Sequence, residues 1–302
     1  MRTIILTLLA WMPCMALFAA DGVLEINQAC AAGPGCFPGD EPGWPVRLIN
    51  SGSYILTGDL VVPPLQHGIT TQINETDYPR DIRISLDLNG FSISSTTVCS
   101  GEPLECSPIS PTDAYGVNLS ATEDGSFHVH NGTIQGMATA GTNCFNHCIV
   151  HDLVVAHNAY YGVSAEGSLR NIYAFRNGQN GIQLFNLGTV SDSVAAENYS
   201  GFSGRGVFVG NTARDNPAGG ILAADGSVVQ QNTVSGSEIG IFCINCSAHN
   251  NTVLHSTNAI SFENSAGIYG GNIFMADTEF AIINGANAIQ SAPNVCNGVA
   301  CP

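Results

Sequence analysis

The 302-residue sequence contains no lysine, and charged residues together make up only 11% of it. Surface helices use lysine, glutamate and arginine in quantity, so this shortage, together with 34 glycines, favours an all-β protein. The formal net charge of −16 argues against nucleic-acid binding, which requires a concentrated basic surface. It also argues against a bare polyanionic substrate, unless a divalent cation such as calcium bridges the two.

Long apolar runs are absent after the first twenty residues. Residues 1–20 combine Arg2 with the run TIILTLLAWMPCMALFAA, which is typical of a secretory signal peptide and too short for a stable membrane span. A lipoprotein anchor at Cys14 is a less favoured alternative, because WMPC is a poor lipobox. We therefore expect an extracytoplasmic monomer, secreted or periplasmic, without a transmembrane segment.

Eleven cysteines are present, and all except Cys14 fall into close pairs along the chain. In an exported protein this arrangement predicts local disulfides. The predicted pairs are Cys30–Cys36, Cys99–Cys106, Cys144–Cys148, Cys243–Cys246 and Cys296–Cys301. The segments CFNHC and CINC could instead hold a metal, but they are far apart in sequence and oxidation outside the cell removes free thiols. Disulfides are therefore favoured over a metal site.

A repeat of about twenty residues runs through the second half of the chain. Its first column holds Asn or Asp at intervals that alternate between 21 and 19 residues: Asn131, Asp152, Asn171, Asp192, Asn211, Asn232, Asn251 and Asn272. A second column pairs Gly or Ala with an apolar residue: Gly162-Val163, Gly181-Ile182, Gly201-Phe202, Gly220-Ile221, Gly240-Ile241, Ala259-Ile260 and Ala281-Ile282. So many copies in register exclude a chance pattern.

Such a short unit holds only two or three strands and cannot bury its apolar side alone. Stacked on similar units at the strand spacing of about 4.8 Å, it builds a continuous core. An Asn at a stacked bend then donates its amide to the next Asn along the axis, and each such bond contributes about 1 kcal/mol. The repeat predicts a solenoid of parallel β-strands, with a second structural ladder at Asn158, Asn177, Asn198 and Asn216.

The units VSDSVAAENYSGF and VVQQNTVSGSEIGI resemble the right-handed parallel β-helix repeat of pectin-lyase-like proteins. The resemblance covers residues from about 53 to 283 and implies an all-β, single-domain, right-handed parallel β-helix. We predict an N-terminal cap at residues 21–50, the β-helix at 51–283 with a disulfide-stapled loop insertion at 95–114, and a C-terminal cap at 284–302. Many functions share this fold, so the resemblance implies no single activity.

An outward-facing column directly precedes the Asn/Asp column: His130, His151, Arg170, Ser191, Gly210, Gln231, Asn250 and Gly271. Its first three members place two imidazoles and a guanidinium on successive coils. Arg170 could neutralise a substrate carboxylate while neutral His130 or His151 removes a proton. The favoured alternative is a polar surface stack, because the outward positions of a solenoid are polar in general.

A second candidate cluster lies at the end of the following strand: His157, Arg176, Glu197 and Asp215. If Glu197 and Asp215 point the same way, their separation approaches the carboxylate spacing of retaining glycosidases, about 5 Å. The favoured alternative is a ladder of ion pairs, Arg176 with Glu197 and Arg214 with Asp215, because opposite charges on neighbouring strands stabilise each other.

Motifs of known β-helix enzymes are missing from this sequence. The Arg-centred motif of pectate lyases, the Asp pair and GHG segment of polygalacturonases and the DPHD motif of alginate epimerases are all absent. The segment HDL at residues 151–153 is only faintly similar to DPHD. Site assignments therefore depend on the two clusters and not on a family motif.

Two functions from different classes stay open. In the first, the protein binds an extracellular polysaccharide, with or without cleaving it as a lyase or a glycoside hydrolase, and Tyr160 and Tyr161 stack on sugar rings. In the second, it is a non-catalytic β-helix for adhesion or a cell-surface structure. A groove that is walled by the 95–114 loop and contains the His/Arg cluster favours the enzyme. A featureless flank with Arg176 paired to Glu197 favours the scaffold.

Overall fold

Alternating apolar residues between short bends fold into strands whose inward side chains form one core. The computed structural model describes residues 22–73, 77–102, 104–109, 113–262, 266–275, 280–283 and 287–301, so the predicted signal peptide at 1–20 lies outside the described residues. None of the helices in these ranges is long and apolar enough to cross a membrane.

The described elements are, in chain order, β1 (Val23–Ile26), α1 (Gln28–Ala31), β2 (Val46–Arg47), β3 (Gly52–Leu56), β4 (Leu60–Val61), β5 (Ile69–Thr70), β6 (Arg83–Asp87), β7 (Ser92–Ser94), β8 (Val98–Ser100), β9 (Glu105–Ser107), β10 (Val117–Leu119), β11 (Ser126–Gln135), β12 (Ala140–Ala156), β13 (Tyr161–Phe175), β14 (Asn180–Ser191), β15 (Val194–Ala196), β16 (Ser200–Val209), β17 (Thr212–Arg214), β18 (Gly219–Ala223), β19 (Val228–Gln230), β20 (Thr233–Ser235), β21 (Ile239–Cys243), β22 (Ser247–His249), β23 (Thr252–Leu254), β24 (Asn258–Ser261), β25 (Ala266–Gly270), β26 (Ile273–Met275), β27 (Phe280–Ile283), β28 (Asn287–Gln290), β29 (Val295–Cys296) and β30 (Val299–Ala300).

Each coil contributes one strand to each of three parallel sheets, which we call A, B and C. In the coil around Val150, residues 140–144 lie in sheet C, 147–151 in sheet A and 153–156 in sheet B. We call the corner at Asp152 the A–B bend, the corner at residues 157–160 the B–C bend, and the connection at 145–146 the C–A turn. About 11 turns stack in this way, which confirms the predicted all-β parallel β-helix.

The core is a set of columns along the solenoid axis. Because side chains alternate across a strand, every second residue of sheet A points inward and stacks on its equivalent in the next coil. All members of this inner column are buried: Leu86, Val129, Val150, Leu169, Val190, Phe208, Val229, Ala248 and Tyr269. The residues between them face outward and are available for chemistry.

The amide ladder predicted at the B–C bend is confirmed. Asn158, Asn177, Asn198 and Asn216 are fully buried. Each side-chain amide donates to the carbonyl oxygen of the next Asn, at 2.9, 2.9 and 3.2 Å in turn, and that oxygen also accepts the backbone N–H of the same donor residue. The ladder therefore satisfies polar groups at a dry corner of every coil it crosses.

The ladder predicted at the A–B bend is wrong in its first half. Asn131, Asp152, Asn171 and Asp192 are exposed bend residues with left-handed φ of 49–64°. The buried ladder occupies the next position and contains Ser193, Asn211, Asn232, Asn251, Asn272 and Asn294. Asn and Asp suit both positions, because they tolerate left-handed φ and also bond along a stack. The residue type alone therefore could not show that the Asn residues change from the bend column to the buried ladder.

The outward column of sheet A changes for the same reason. After Ser191 it continues through Val209, Gln230, His249 and Gly270. The predicted continuation through Gly210, Gln231, Asn250 and Gly271 is wrong, because these four residues occupy the A–B bend with positive φ. The first four members, which include the candidate cluster, keep their predicted register.

All five predicted cysteine pairs form disulfides, with Cα–Cα distances between 4.0 and 6.1 Å. They are compatible with an extracytoplasmic protein. Cys99–Cys106 joins the antiparallel strands β8 and β9 into a hairpin within the 95–114 insertion. The sulfur of Cys99 lies 3.5 Å from the carbonyl oxygen of Asn158, so the stapled hairpin rests on the B–C bend.

Parallel pairing reaches past both predicted limits of the β-helix. Strand β1 pairs with β3 at the N-terminal end, and β28 pairs with β25 at the C-terminal end. Phe37 and Trp44 pack against the core from the N-terminal segment. At the other end, β29 continues sheet B, and β30 folds back on it in antiparallel orientation beside the disulfide Cys296–Cys301.

The buried ladder makes a stability prediction. Asn177→Ala removes the acceptor of two hydrogen bonds from Asn158 and the donor to Val155 and Asn198. We expect it to lower the free energy of unfolding by about 3–5 kcal/mol, because buried polar groups lose their partners.

Guanidinium denaturation measures this loss, and Asn250→Gly is the matched control. Asn250 is an exposed bend amide with φ of 54°, a conformation that glycine adopts freely, so we expect a change below about 1 kcal/mol. Equal losses in the two variants would contradict a stabilising role of the ladder.

Candidate functional site

Sheet A presents four titratable side chains on consecutive coils. Asp87, His130, His151 and Arg170 are register partners in turn, so the structure brings the three predicted residues of this cluster together. Parallel strands lie about 4.8 Å apart, which places neighbouring members within contact distance. The rings of His130 and His151 stack with centroids 5.1 Å apart and planes 13° from parallel.

His128 is a member of the cluster that the sequence interpretation missed. Its Nε2 lies 2.6 Å from Nε2 of His151, and its ring centroid lies 4.4 Å from that of His130. His128 precedes His130 by two residues on strand β11, and residues two apart on a strand face the same side. This alternation was the signal that could have identified it.

Two carboxylates lie next to the imidazoles. Asp152 at the A–B bend lies 2.6 Å from Nδ1 of His151 through Oδ2 and accepts the amide of Asn171 at Oδ1. The hydrogen bond from Asn171, followed by that from His151, lowers the pKa of Asp152, so this carboxylate is ionised. Asp87 lies 3.7 Å from Nδ1 of His130, which gives the second imidazole a carboxylate neighbour as well.

The protonation of the cluster follows from its surroundings. Partial burial lowers the pKa of His128, and the neighbouring His130, His151 and Arg170 lower it further. His128 is therefore neutral at neutral pH, and its Nε2 lies within hydrogen-bond distance of Nε2 of His151. The side chain of His130 is 21% exposed and that of His151 12% exposed, so a ligand on sheet A can reach both.

The donor set does not fit calcium. Calcium takes six to eight oxygen ligands, whereas the centre of this cluster consists of imidazole nitrogens. The carboxylates of Asp87 and Asp152 are engaged by neighbouring His and Asn side chains. Among the described residues, no group of three or more His, Cys, Asp or Glu has the geometry of a metal site.

The second predicted cluster forms a column at the B–C bend. His157, Arg176, Glu197 and Asp215 all have left-handed φ, between 50° and 56°. Nε of Arg176 lies 2.8 Å from Oε2 of Glu197, and a guanidinium nitrogen of Arg214 lies 3.5 Å from Oδ2 of Asp215. Both ion pairs of the predicted ladder are therefore present.

The 95–114 insertion walls a cleft of about 720 Å³ above this second column. The cleft is lined by Gly101, Glu102, Leu104, Arg176, Glu197, Asn198, Tyr199, Asp215, Pro217 and Gly236. A groove containing His130, His151 and Arg170 would have favoured the enzyme, but the walled groove contains the other cluster. The pairing of Arg176 with Glu197, which was to favour the non-catalytic scaffold, is present, but it lies in a walled cleft and not on a featureless flank.

The two predicted sugar-stacking tyrosines differ in position. Tyr160 lines a depression of about 390 Å³ on the other side of the hairpin, together with Leu104 and Gln179. Tyr161 is the first residue of β13 in sheet C, and its ring centroid lies 6.4 Å from that of Tyr160. Only Tyr160 of this pair lines one of the cavities described here.

In structure, the chain is similar to the A-module of a mannuronan C-5 epimerase from Azotobacter vinelandii. The TM-score is 0.51 at 13% sequence identity, over 91% of this chain and 88% of that chain. No protein-family model and no curated protein matches the sequence. At this identity the likeness supports the fold alone, and the chain is a parallel β-helix repeat protein.

The contact between the two imidazoles generates a titration prediction. We expect His151→Gln to raise the pKa of His128 towards the ordinary value of about 6.5, because the variant removes a ring whose charge opposes a proton on His128. Histidine NMR signals followed against pH measure the shift. His249→Gln, a change in the same outward column on a distant coil, should leave His128 unchanged. An equal shift in both variants would contradict direct coupling.

Proposed function

We propose that this protein is an exported β-helix that binds an acidic polysaccharide across sheet A and cleaves it by elimination. The observation that carries the proposal is the column of His130, His151 and Arg170, in which two stacked imidazoles lie next to a guanidinium. Removal of a proton next to a carboxylate needs both a base and a group that neutralises the carboxylate. The structural likeness to a polysaccharide-modifying β-helix enzyme is consistent with a polysaccharide partner.

Arg170 is the carboxylate clamp in this proposal. Its guanidinium is exposed on sheet A and can hold a uronate carboxylate through two parallel hydrogen bonds. Neutralising that carboxylate makes the proton on the adjacent C5 carbon easier to remove. The base takes this proton, a double bond forms between C4 and C5, the bond from C4 to the glycosidic oxygen breaks, and that oxygen takes a proton from the medium.

His130 is better placed than His151 to be the base. Both ring nitrogens of His151 are engaged, one by Asp152 and the other by His128. Within the described part of the chain, Nε2 of His130 has no hydrogen-bond partner, while its Nδ1 faces Asp87. Asp87 next to Nδ1 then stabilises the positive charge that develops on the ring of His130.

A second outcome of the same proton removal is epimerisation. If a proton returns to C5 from the opposite side before the glycosidic bond breaks, the sugar changes configuration and the chain stays intact. The structural neighbour is a C-5 epimerase by name, which is the specific reason to include this reaction. Elimination gives an unsaturated product that absorbs in the ultraviolet, whereas epimerisation changes the NMR spectrum of the polymer alone.

The net charge of −16 opposes a polyanionic ligand outside the cluster. A divalent cation between the polymer and the acidic surface would reduce this repulsion, so activity on polyuronates is to be measured with and without calcium. Such a cation would belong to the interface with the polymer, since the described residues do not form a closed metal site. Arg170 provides local attraction in either case.

The activity prediction uses matched variants on sheet A. With a polyuronate that the protein modifies, we expect His130→Gln to lower kcat by about 100-fold or more, because the base is lost. Arg170→Gln should lower kcat/KM by about 100-fold, because the carboxylate is no longer neutralised. Ultraviolet absorbance measures elimination, and proton NMR measures epimerisation.

His249→Gln and Arg205→Gln are the controls, since they remove an imidazole and a guanidinium from other parts of the solenoid. Both should retain activity within about two-fold. Absence of products from a broad panel of uronate polymers, and of new reducing ends from neutral glycans, would leave the alternative of a non-catalytic surface β-helix.

The pH dependence follows from the required neutral base. A protonated imidazole cannot accept a proton, so the rate should fall as the pH drops and the base becomes protonated. The lowered pKa of His128 keeps that ring from adding a competing positive charge until the pH is lower still. Profiles of kcat/KM between about pH 4.5 and 8.5 cover the range in which histidine side chains titrate, and they test this expectation. A rate that rises towards acidic pH would contradict a neutral imidazole as the base.

A further inference from the structure

The cleft at the B–C bend has a wall that the repeat itself does not provide. The hairpin of β8 and β9 is stapled by Cys99–Cys106 and rests on the bend at Asn158. Residues 101, 102 and 104 at its tip overhang coils farther along the axis and enclose about 720 Å³ with them. This volume lies within the usual range of ligand pockets, about 300–1,000 Å³.

The floor of the cleft consists of long side chains at backbone positions that favour glycine. Arg176 and Glu197 have φ of 50° and 53°, a region in which residues other than Gly, Asn, Asp and His are uncommon. The equivalent corners carry Gly136 on an earlier coil and Gly236 on a later one. Retaining Arg and Glu at such positions has a conformational cost of about 1–2 kcal/mol each.

The polar groups of the floor are held in fixed positions. Arg176 is paired with Glu197 at 2.8 Å and lies over the ring of Phe175 at 5.3 Å from its centroid. A Cβ atom added to Gly236 would lie 2.6 Å from Oδ1 of Asp215, so the Asp215 carboxylate extends over that glycine. Guanidinium and carboxylate groups presented in this way donate to and accept from the hydroxyl groups of a ligand.

Tyr199 gives the cleft an apolar face. It is 54% exposed and lines both the main cleft and an adjoining depression of about 500 Å³ on sheet C. Leu104 lines the main cleft and also the depression that contains Tyr160. Gln179 lines the depressions of Tyr160 and Tyr199 alike. The three cavities therefore adjoin one another around the hairpin, and a tyrosine stands on each side of Gln179.

The charges of the groove select against an anionic ligand. Arg176 and Glu197 neutralise each other, and Asp215 is paired with Arg214. Glu102 adds a further negative charge at the hairpin tip, on a protein that already carries −16. A uronate chain would meet carboxylates here without an uncommitted cation, in contrast to Arg170 on sheet A.

We propose that this groove is a separate binding site for a neutral oligosaccharide. Sugar rings stack their apolar faces on Tyr199 and Tyr160, and their hydroxyl groups bond to Arg176, Glu197 and Asp215. The extended shape of the three adjoining cavities suits several linked sugar residues better than one compact ligand. The site does not depend on the proton-abstraction site of sheet A, which lies on the far side of sheet B.

The test is calorimetric titration of the full mature chain with neutral hexasaccharides, namely cellohexaose, xylohexaose and mannohexaose, and with hexagalacturonate. At least one neutral hexasaccharide should bind. Tyr199→Ala and the double variant Arg176→Gly/Glu197→Gly should weaken that binding by at least 10-fold. Because glycine suits both bend positions and the ion pair is largely exposed, the double variant should keep the melting temperature of the parent within a few degrees.

Phe185→Ala and His151→Gln are the controls, since Phe185 is a similarly exposed ring outside the groove and His151 belongs to sheet A. Both should bind the neutral hexasaccharide within two-fold of the parent. The proposal is overturned if no neutral hexasaccharide binds, if the groove variants bind as well as the parent, or if the groove variants abolish binding of hexagalacturonate. If the protein acts on polyuronates but binds no neutral hexasaccharide, the proposal of the groove site is wrong and the proposal of the sheet A site is unaffected.

Discussion

The hydrogen-bonded stacking of one coil on the next is the constraint on which the rest of this structure depends. Every strand must find its partners in the coils before and after it, so equivalent residues are held one above another at the strand spacing. Buried amides such as Asn177 extend this rule to the corners, where they bond along the axis. Function then depends on which side chains occupy one column: histidines on two successive coils are brought into contact without any dedicated local structure.

The features that recur in every coil could be predicted from the sequence, whereas the features that interrupt the repeat could not. The parallel β-helix, the cysteine pairs and the B–C ladder follow from patterns that recur or lie close together in the chain. The prediction of the A–B ladder fails between Asp192 and Gly210. One coil is shorter there, and from that coil onward the ladder residue occupies the next position in the sequence. Asn suits both a left-handed bend and a buried ladder, so the residue type could not indicate which of the two positions it occupies.

The candidate clusters show the same division. His130, His151 and Arg170 precede the change of register, so their contact was predictable, whereas Asp87 is separated from them by the 95–114 insertion and was missed. The direction of that insertion was not predictable either, because a hairpin that projects from the β-helix does not follow the sequence repeat. Its disulfide fixes the shape of the hairpin, but the contact with Asn158 fixes which column it covers. The insertion therefore encloses the Arg176 column and leaves the histidines open.

The return of β30 onto β29 has a consequence for the edge of sheet B. A last coil with free strand edges is a template on which a second molecule could continue the stack, and repeated addition would give a fibre. Here the chain itself occupies the edge of sheet B, and Cys296–Cys301 holds that return segment in place. The edge of sheet B at β29 is therefore paired within the chain and not open to a strand of a second molecule.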